Sequence, residues 1–113
     1  MKNSLKKEKE YKNVYENGVA FASKNMVLYV LKNGATERNR YGISVSHKVG
    51  NSVVRHALIR KTREINRKND EKIKQGYDIV TILRVQSNTA KYENLNEEFL
   101  YLCKRHDILA KED

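Results

Sequence analysis

The stretch from Tyr41 to Arg67, YGISVSHKVGNSVVRHALIRKTREINR, constrains the fold more than any other part of the chain. It opens with alternation: Ile43 and Val45 are apolar, and Ser44, Ser46 and His47 are polar beside them. A period of two predicts a half-buried strand. The loop His47-Lys48-Val49-Gly50 then leads to Asn51, a good helix N-cap because its side-chain oxygen accepts an orphan backbone N–H. Beyond Asn51 the period becomes helical. Val54, Leu58 and Ile65 fall on one narrow stripe, which should pack on a sheet. His56, Arg60, Arg63 and Arg67 occupy the opposite face, with Arg55 on its flank. The helix start itself attracts anions, because its free N–H groups point outward at the positive end of the dipole, and Lys48 stands beside it.

The signs of the charges decide how that face reads. Glu64 is the only acid between His47 and Lys68. A merely solvated helix mixes signs, since opposite charges at i,i+4 stabilise it and like charges repel. The cationic face therefore reads as a polyanion-binding surface. Composition agrees: 23 Lys and Arg against 14 Asp and Glu give a net charge of +9. That balance suits nucleic acid, although an anionic membrane or an acidic partner would also satisfy it. A chain of 113 residues makes one domain with one modest core. A lone cysteine, Cys103, and no signal peptide favour the reducing cytosol. The longest apolar run, Met26 to Leu31, is too short to span a bilayer, so no membrane association through a span is expected.

The remaining elements follow in order. A short helix is expected from about Lys7 to Asn17, stopped by Gly18 at C′, after a basic start that should be loose. Its Tyr11, Val14 and Tyr15, at i, i+3 and i+4, read by themselves as ordinary core residues. Met26 to Leu31 should be a strand with Val27, Tyr29 and Leu31 on one face. Asn33-Gly34 within Lys32 to Arg40 suggests a turn between antiparallel strands. The basic helix should end near Lys68 to Asn69, followed by a charged descent through Lys72, Ile73 and Lys74 to Gly76. YDIVTILRV, Tyr77 to Val85, is apolar at nearly every position and reads as a central strand covered on both faces. After a polar loop, Gln86 to Ala90, a last helix from Tyr92 to His106 carries Leu95, Phe99, Leu102, Cys103 and His106 as its core stripe. The order helix-strand-strand-helix-strand-helix predicts an α+β (α/β sandwich) fold. Physical precedent would make its strand–helix–strand crossover right-handed if the two strands are parallel.

Catalytic chemistry finds little footing. A two-histidine ribonuclease needs an acid and a base converging on one phosphate. His56 lies two turns into the helix from His47, and His106 belongs to a core stripe near a helix C-terminus, where a protonated ring would suit the dipole. Cys103 and His106 could begin a zinc site, but no second Cys–His pair completes it. No G-K-[ST] marks a P-loop, and no pair of acids suggests a two-metal nuclease. The reading is of a protein that binds, with no catalytic residue and no metal ligand of its own.

KVGNSVVRHALIRKTRE resembles the signature of the bacterial ribonuclease P protein subunit, whose usual form is K-x-G-N-x-V-x-R-N-R-x-K-R. Lys48, Gly50, Asn51, Val53, Arg55 and Arg60 occupy the matching positions, and Arg63-Glu64 continues the pattern. EYKNVYENG, MVLYVL, GYDIVTILR and KRHDIL extend the likeness over almost the whole chain. Where the family places Asn-Arg, this chain has His56-Ala57, and Ile59 replaces a usual Lys. The resemblance implies a small sheet with helices and a left-handed βαβ crossover, as in the second domain of a small-subunit ribosomal protein. It also implies a ribonuclease P RNA partner that holds the active site and its Mg²⁺ ions, with precursor tRNA as substrate and no small-molecule substrate. Lys48, Asn51, Arg55, Arg60 and Arg63 then match the surface for the RNA subunit, with His56 and Arg67 on the same cationic face. Tyr11, Tyr15 and Tyr29 match the aromatic cleft for the 5′ leader, which displaces the core reading of the helix tyrosines, and Ser44 and Ser46 could bond the leader backbone beside them. The competing class is a ribosomal-protein-like RNA-binding module or RNA chaperone without a ribozyme partner. A DNA-binding helix-turn-helix is disfavoured, because no second helix stands a short turn before the basic one.

Overall fold

A computed structural model describes residues 4–34 and 38–110. Its elements are α1 (Glu8–Asn17), β1 (Val19–Ala22), β2 (Met26–Lys32), β3 (Arg40–Val45), α2 (Ser52–Asn69), β4 (Tyr77–Leu83) and α3 (Tyr92–Arg105). Short 3₁₀ turns occupy His47–Val49, Asp70–Lys72 and Val85–Thr89. The strands form one sheet in the order β1-β2-β4-β3. β4 runs antiparallel to β2 and parallel to β3, so β3–α2–β4 is a parallel crossover unit.

This order follows from hydrophobicity. β4 is buried at nearly every position and takes the interior place that its unbroken apolar run predicts. It thereby separates β2 from β3. The antiparallel turn expected between those two strands is therefore not a hairpin: Lys32 to Arg40 spans β4, and residues 35–37 of that segment lie outside the described residues. β1 is a further correction, because sequence reading left Val19–Ala22 unassigned. It is an edge strand of four residues, paired to β2 from Val19↔Val30 to Ala22↔Val27. Gly18 does end α1, but with φ −85° and not in the left-handed region. It is needed for close approach: a Cβ there would lie 2.6 Å from the Val14 carbonyl oxygen and 3.0 Å from that of Val30. Ile73 is not part of a solvated descent either. It is buried and bridges Leu109, so the C-terminal segment returns to pair with the α2–β4 connection.

The sheet has two apolar faces. On one, Met26, Leu28, Val30, Ile79 and Leu83 meet Leu58 and Ile65 of α2 and Leu95, Phe99, Leu102 and Cys103 of α3. Full burial of each such aliphatic side chain contributes about 1.5–3 kcal/mol. On the other, α1 lays Val14 and Tyr11 over Val80, with Tyr29, Leu31, Ile82 and Leu5 around them. Leu5 is fixed because its N–H donates to the Tyr41 carbonyl at 2.8 Å, and Ser4 bridges Tyr41 in parallel. The loose start expected for the chain thus falls on residues 1–3, outside the described residues.

One ionic cluster ties α1 to the sheet. Asp78 of β4 is 1% exposed. Arg40 donates to both its oxygens, Nε to Oδ1 at 2.9 Å and Nη2 to Oδ2 at 2.7 Å. Its remaining Nη1 donates to Glu10 of α1 at 2.7 Å. The other Glu10 oxygen accepts the backbone N–H groups of Lys6 and Lys7 at the helix start. These bonds, led by the two backbone donors and joined by Arg40, hold the Glu10 carboxyl below its usual range.

Candidate nucleic-acid interface

The strand registers place two rows of side chains on the α1 face. Ala20, Tyr29, Val80 and Gly42 stand side by side across the four strands, and Ala22, Val27, Ile82 and Ser44 form the next row. α1 lies over the first row. Tyr11 rests directly on Gly42, where a Cβ would fall 2.6 Å from a ring carbon, so glycine here admits the ring. The second row stays open: Ala22 is exposed and Val27, Ile82 and Ser44 are half-buried. Tyr15 and Tyr29 wall this floor. Their centroids are 5.0 Å apart in an edge-to-face arrangement, and Tyr11 follows at 6.5 Å from Tyr15. Tyr15 is 37% exposed, which leaves ring surface for a stacking partner. Partial burial raises its phenol above the usual value against a hydrogen bond with Ser44, so the ring is neutral at physiological pH.

The structure therefore brings together Tyr11, Tyr15, Tyr29 and Ser44. Ser46 is different. It lies beyond the end of β3, and its hydroxyl oxygen accepts from the Lys48 N–H at 3.2 Å, capping the 3₁₀ turn. Sequence reading passed over Arg84. It is exposed, continues the alternation from Ile82 in extended backbone, and donates from Nη1 to the Ser23 carbonyl at 2.9 Å. That sets a guanidinium one row beyond the open one. The signal was a lone cation closing an otherwise apolar strand.

The second surface is α2. Asn51 caps it as expected, accepting from the Val54 N–H at 3.0 Å. Leu58, Thr62 and Ile65 face the core, while Lys48, His56, Arg60 and Arg63 are exposed. Two expected cations are partly engaged within the protein. Arg55 is half-buried and donates from Nε to the Gly50 carbonyl at 3.2 Å, bracing the loop before the helix. Arg67 pairs with Glu64, from Nε to Oε2 at 2.9 Å and through a second contact from Nη2. Ile59 does not stand on the polar side as its place on the wheel suggests. It lies at the shoulder of the buried arc, half-buried against the outer edge of β3.

The histidines do not make a catalytic pair. His47 lies in the 3₁₀ turn before α2, and His56 on the exposed face of α2. His106 is half-buried on the far side of the sheet, with Nε2 2.8 Å from the Leu28 carbonyl oxygen and Phe21 stacked edge-on at 4.7 Å. Desolvation lowers its affinity for a proton, so the protonated ring expected at that helix end is disfavoured. Cys103 is buried, and burial pushes its thiol up to about 12, which makes it a packing residue. Among the described residues, no group of three or more His, Cys, Asp and Glu side chains is placed to share a metal ion. No helix among them is long and apolar enough to cross a membrane.

The sheet thus carries an aromatic floor on its α1 face and the acid-poor cationic helix α2 on the other. The sequence model of the Ribonuclease P family matches residues 1–107. The ribonuclease P protein component of Lachnoclostridium phytofermentans is 44% identical over 113 residues, covering 100% of this chain and 97% of that one. The chain belongs to the ribonuclease P protein family. The corresponding protein of Clostridioides difficile is 46% identical over 92% of this chain and 91% of its own. Among solved structures, a Staphylococcus aureus RNase P protein mutant with defective mRNA degradation activity matches with a TM-score of 0.88 at 26% identity, over 96% of this chain and 91% of that chain.

Proposed function

We propose that this ribonuclease P family protein is the RNA-binding subunit of a holoenzyme that removes the 5′ leader of precursor tRNA in the cytoplasm. In this reading a ribonuclease P RNA partner supplies the active site and holds the Mg²⁺ ions. The exposed cations Lys48, His56, Arg60 and Arg63, with Asn51, Arg55 and Arg67 beside them, contact that RNA. Tyr11, Tyr15 and Tyr29 receive the single-stranded leader by stacking, with Ser44, Ser46 and Arg84 along its backbone. The observation that carries the proposal is the joining of Tyr15 and Tyr29 at 5.0 Å beside an open row of the sheet. Such a platform suits unpaired bases, which stack without regard to sequence. A ribosomal-type module needs no such leader groove.

Reconstitution tests it. With a bacterial ribonuclease P RNA and a precursor tRNA at low Mg²⁺, the protein should promote cleavage at the mature 5′ end. The protein by itself should cleave nothing there at any Mg²⁺ concentration. Cleavage that persists without the RNA subunit and disappears in His47→Ala or His56→Ala would assign the chemistry to the protein, and the ribozyme reading would fail.

The altered signature gives a second expected result. Ala57 and Ile59 stand where the family carries cations, so RNA-subunit affinity here leans on Lys48, Arg55, Arg60 and Arg63. Ala57 is half-exposed on the flank of α2 that it shares with Lys61 and Lys68. Ala57→Arg should tighten binding and steepen the salt dependence by about one counterion. An unchanged slope of log Kd against log salt would mean that residue 57 does not face RNA.

A further inference from the structure

The outer edge of β3 carries a pocket that shares one residue with each of the two surfaces above, Tyr11 with the aromatic floor and Arg63 with α2. It measures about 200 Å³ and opens between the N-terminal segment and α2, with Tyr11, Tyr41, Ile43, Ile59, Arg63 and Asn66 in its lining. Asn66 is 1% exposed, yet neither its Nδ2 nor its Oδ1 has a hydrogen-bond partner. An unsatisfied buried amide costs about 1–3 kcal/mol, so folding by itself would favour an apolar residue at 66. Arg63 is exposed at the rim, on the cationic side of α2. The Tyr11 ring belongs both to the pocket and to the aromatic floor. Ile59 supplies an apolar wall at a position where a lysine would put a charge.

The occupant must therefore be planar enough to lie between Tyr11, Ile43 and Ile59, must offer an adjacent donor and acceptor to an amide, and must tolerate or carry negative charge near Arg63. A nucleotide meets all three conditions. A carboxamide side chain reads an adenine edge by donating from Nδ2 to N7 and accepting at Oδ1 from the N6 amino group.

We propose that this pocket receives one unstacked adenine base of the bound RNA, with Asn66 bonding the base edge and Arg63 holding its phosphate. The proposal rests on the RNA-binding function proposed above. It adds a base-specific contact to surfaces that otherwise bind backbone and stack.

The test uses the full chain labelled with ¹⁵N, and AMP as the probe, with adenosine, GMP, CMP and UMP for comparison. The Asn66 side-chain amide resonances should shift saturably with AMP and less with GMP, CMP or UMP. Asn66→Leu should weaken AMP binding roughly tenfold while the melting temperature is held or raised, since an unpaired amide is removed. A merely structural asparagine would give the reverse. Arg63→Gln should abolish the preference for AMP over adenosine and leave adenosine binding in place. In the holoenzyme, Asn66→Leu should weaken binding of the RNA subunit if the base comes from it, or of precursor tRNA alone if it comes from the substrate. Asn66 resonances that do not respond to any nucleotide, or an Asn66→Leu protein with unchanged affinity for both RNAs, would overturn the pocket proposal. Failure of the unmodified protein to bind the RNA subunit would instead overturn the proposed function, and the AMP titration would still decide the pocket.

Discussion

Arg40→Ala is expected to destabilise the protein by about 3–5 kcal/mol, because it leaves a buried carboxylate without its cationic partner and, among the described residues, with only the Asn33 amide donating to Oδ1, at 3.1 Å. Asp78 stands in the central strand at 1% exposure, and both its oxygens are taken by the Arg40 fork. Arg40→Lys keeps the charge but cannot span both oxygens and Glu10 together, so it should recover only part of the loss. Asp78→Asn in the Arg40→Ala background should restore more, since the uncompensated charge is then gone. Urea denaturation of the three variants measures this; a loss for Arg40→Ala below 1 kcal/mol would mean that water replaces the fork. The cluster also gives stability a dependence on pH. The Glu10 carboxyl is depressed in the folded state, by the Lys7 and Lys6 N–H groups first and Arg40 after them. Its contribution is therefore fully present above the unfolded carboxylate value of about 4.3 and is lost as pH falls through the lower folded value. The stability gap between the unmodified protein and Glu10→Gln should accordingly close at acid pH. Because Glu10 holds α1 on the sheet, loosening this cluster should also spoil the groove beneath that helix.

What sequence could supply depended on how local the cause was. The α2 boundaries were legible because an N-cap, a helical stripe and a one-signed face lie within consecutive residues, and Asn51 to Asn69 folds as that pattern directs. The place of β4 was legible because only a doubly covered strand is apolar throughout. β1 was not, since four residues with Val19 and Ala22 exposed carry no alternation to detect. The neighbours of β3 were hidden for a different reason. Asn33-Gly34 signals a turn, but whether a turn closes a hairpin depends on a strand some forty residues later that inserts between the two. The hand of the crossover likewise came from family resemblance and not from periodicity. In the candidate site, Tyr11, Tyr15 and Tyr29 could be named from resemblance, but their residue types fit a core equally well. The partial engagement of Arg55, Arg67 and Ser46, and the burial of Ile59 and Asn66, are tertiary facts. Helical wheels place a residue on a side and do not say which neighbour waits there.

The proposed leader groove gives the second large effect. Tyr15→Ala or Tyr29→Ala should weaken holoenzyme binding to precursor tRNA by about 1–3 kcal/mol, roughly tenfold or more in Kd, with little change for mature tRNA. The reason is that only the precursor carries unpaired bases to lay on the floor beside Val27, Ile82 and Ser44. Stacking there favours substrate over product, so the same contact that captures the precursor lets the mature tRNA leave. Tyr→Phe at either site keeps the ring and should cost much less. Tyr15→Phe removes only the phenol hydroxyl, so any loss peculiar to it measures a polar contact of that hydroxyl and not stacking. Binding of each variant to the RNA subunit, and its melting temperature, separate a lost contact from a lost fold, which matters most for the half-buried Tyr29. Arg84→Ala, one row beyond the open one, should lower precursor affinity and flatten its salt dependence without touching the stacking term. Equal losses for precursor and mature tRNA in folded tyrosine variants that still bind the RNA subunit would make these rings core residues and move the leader to another face.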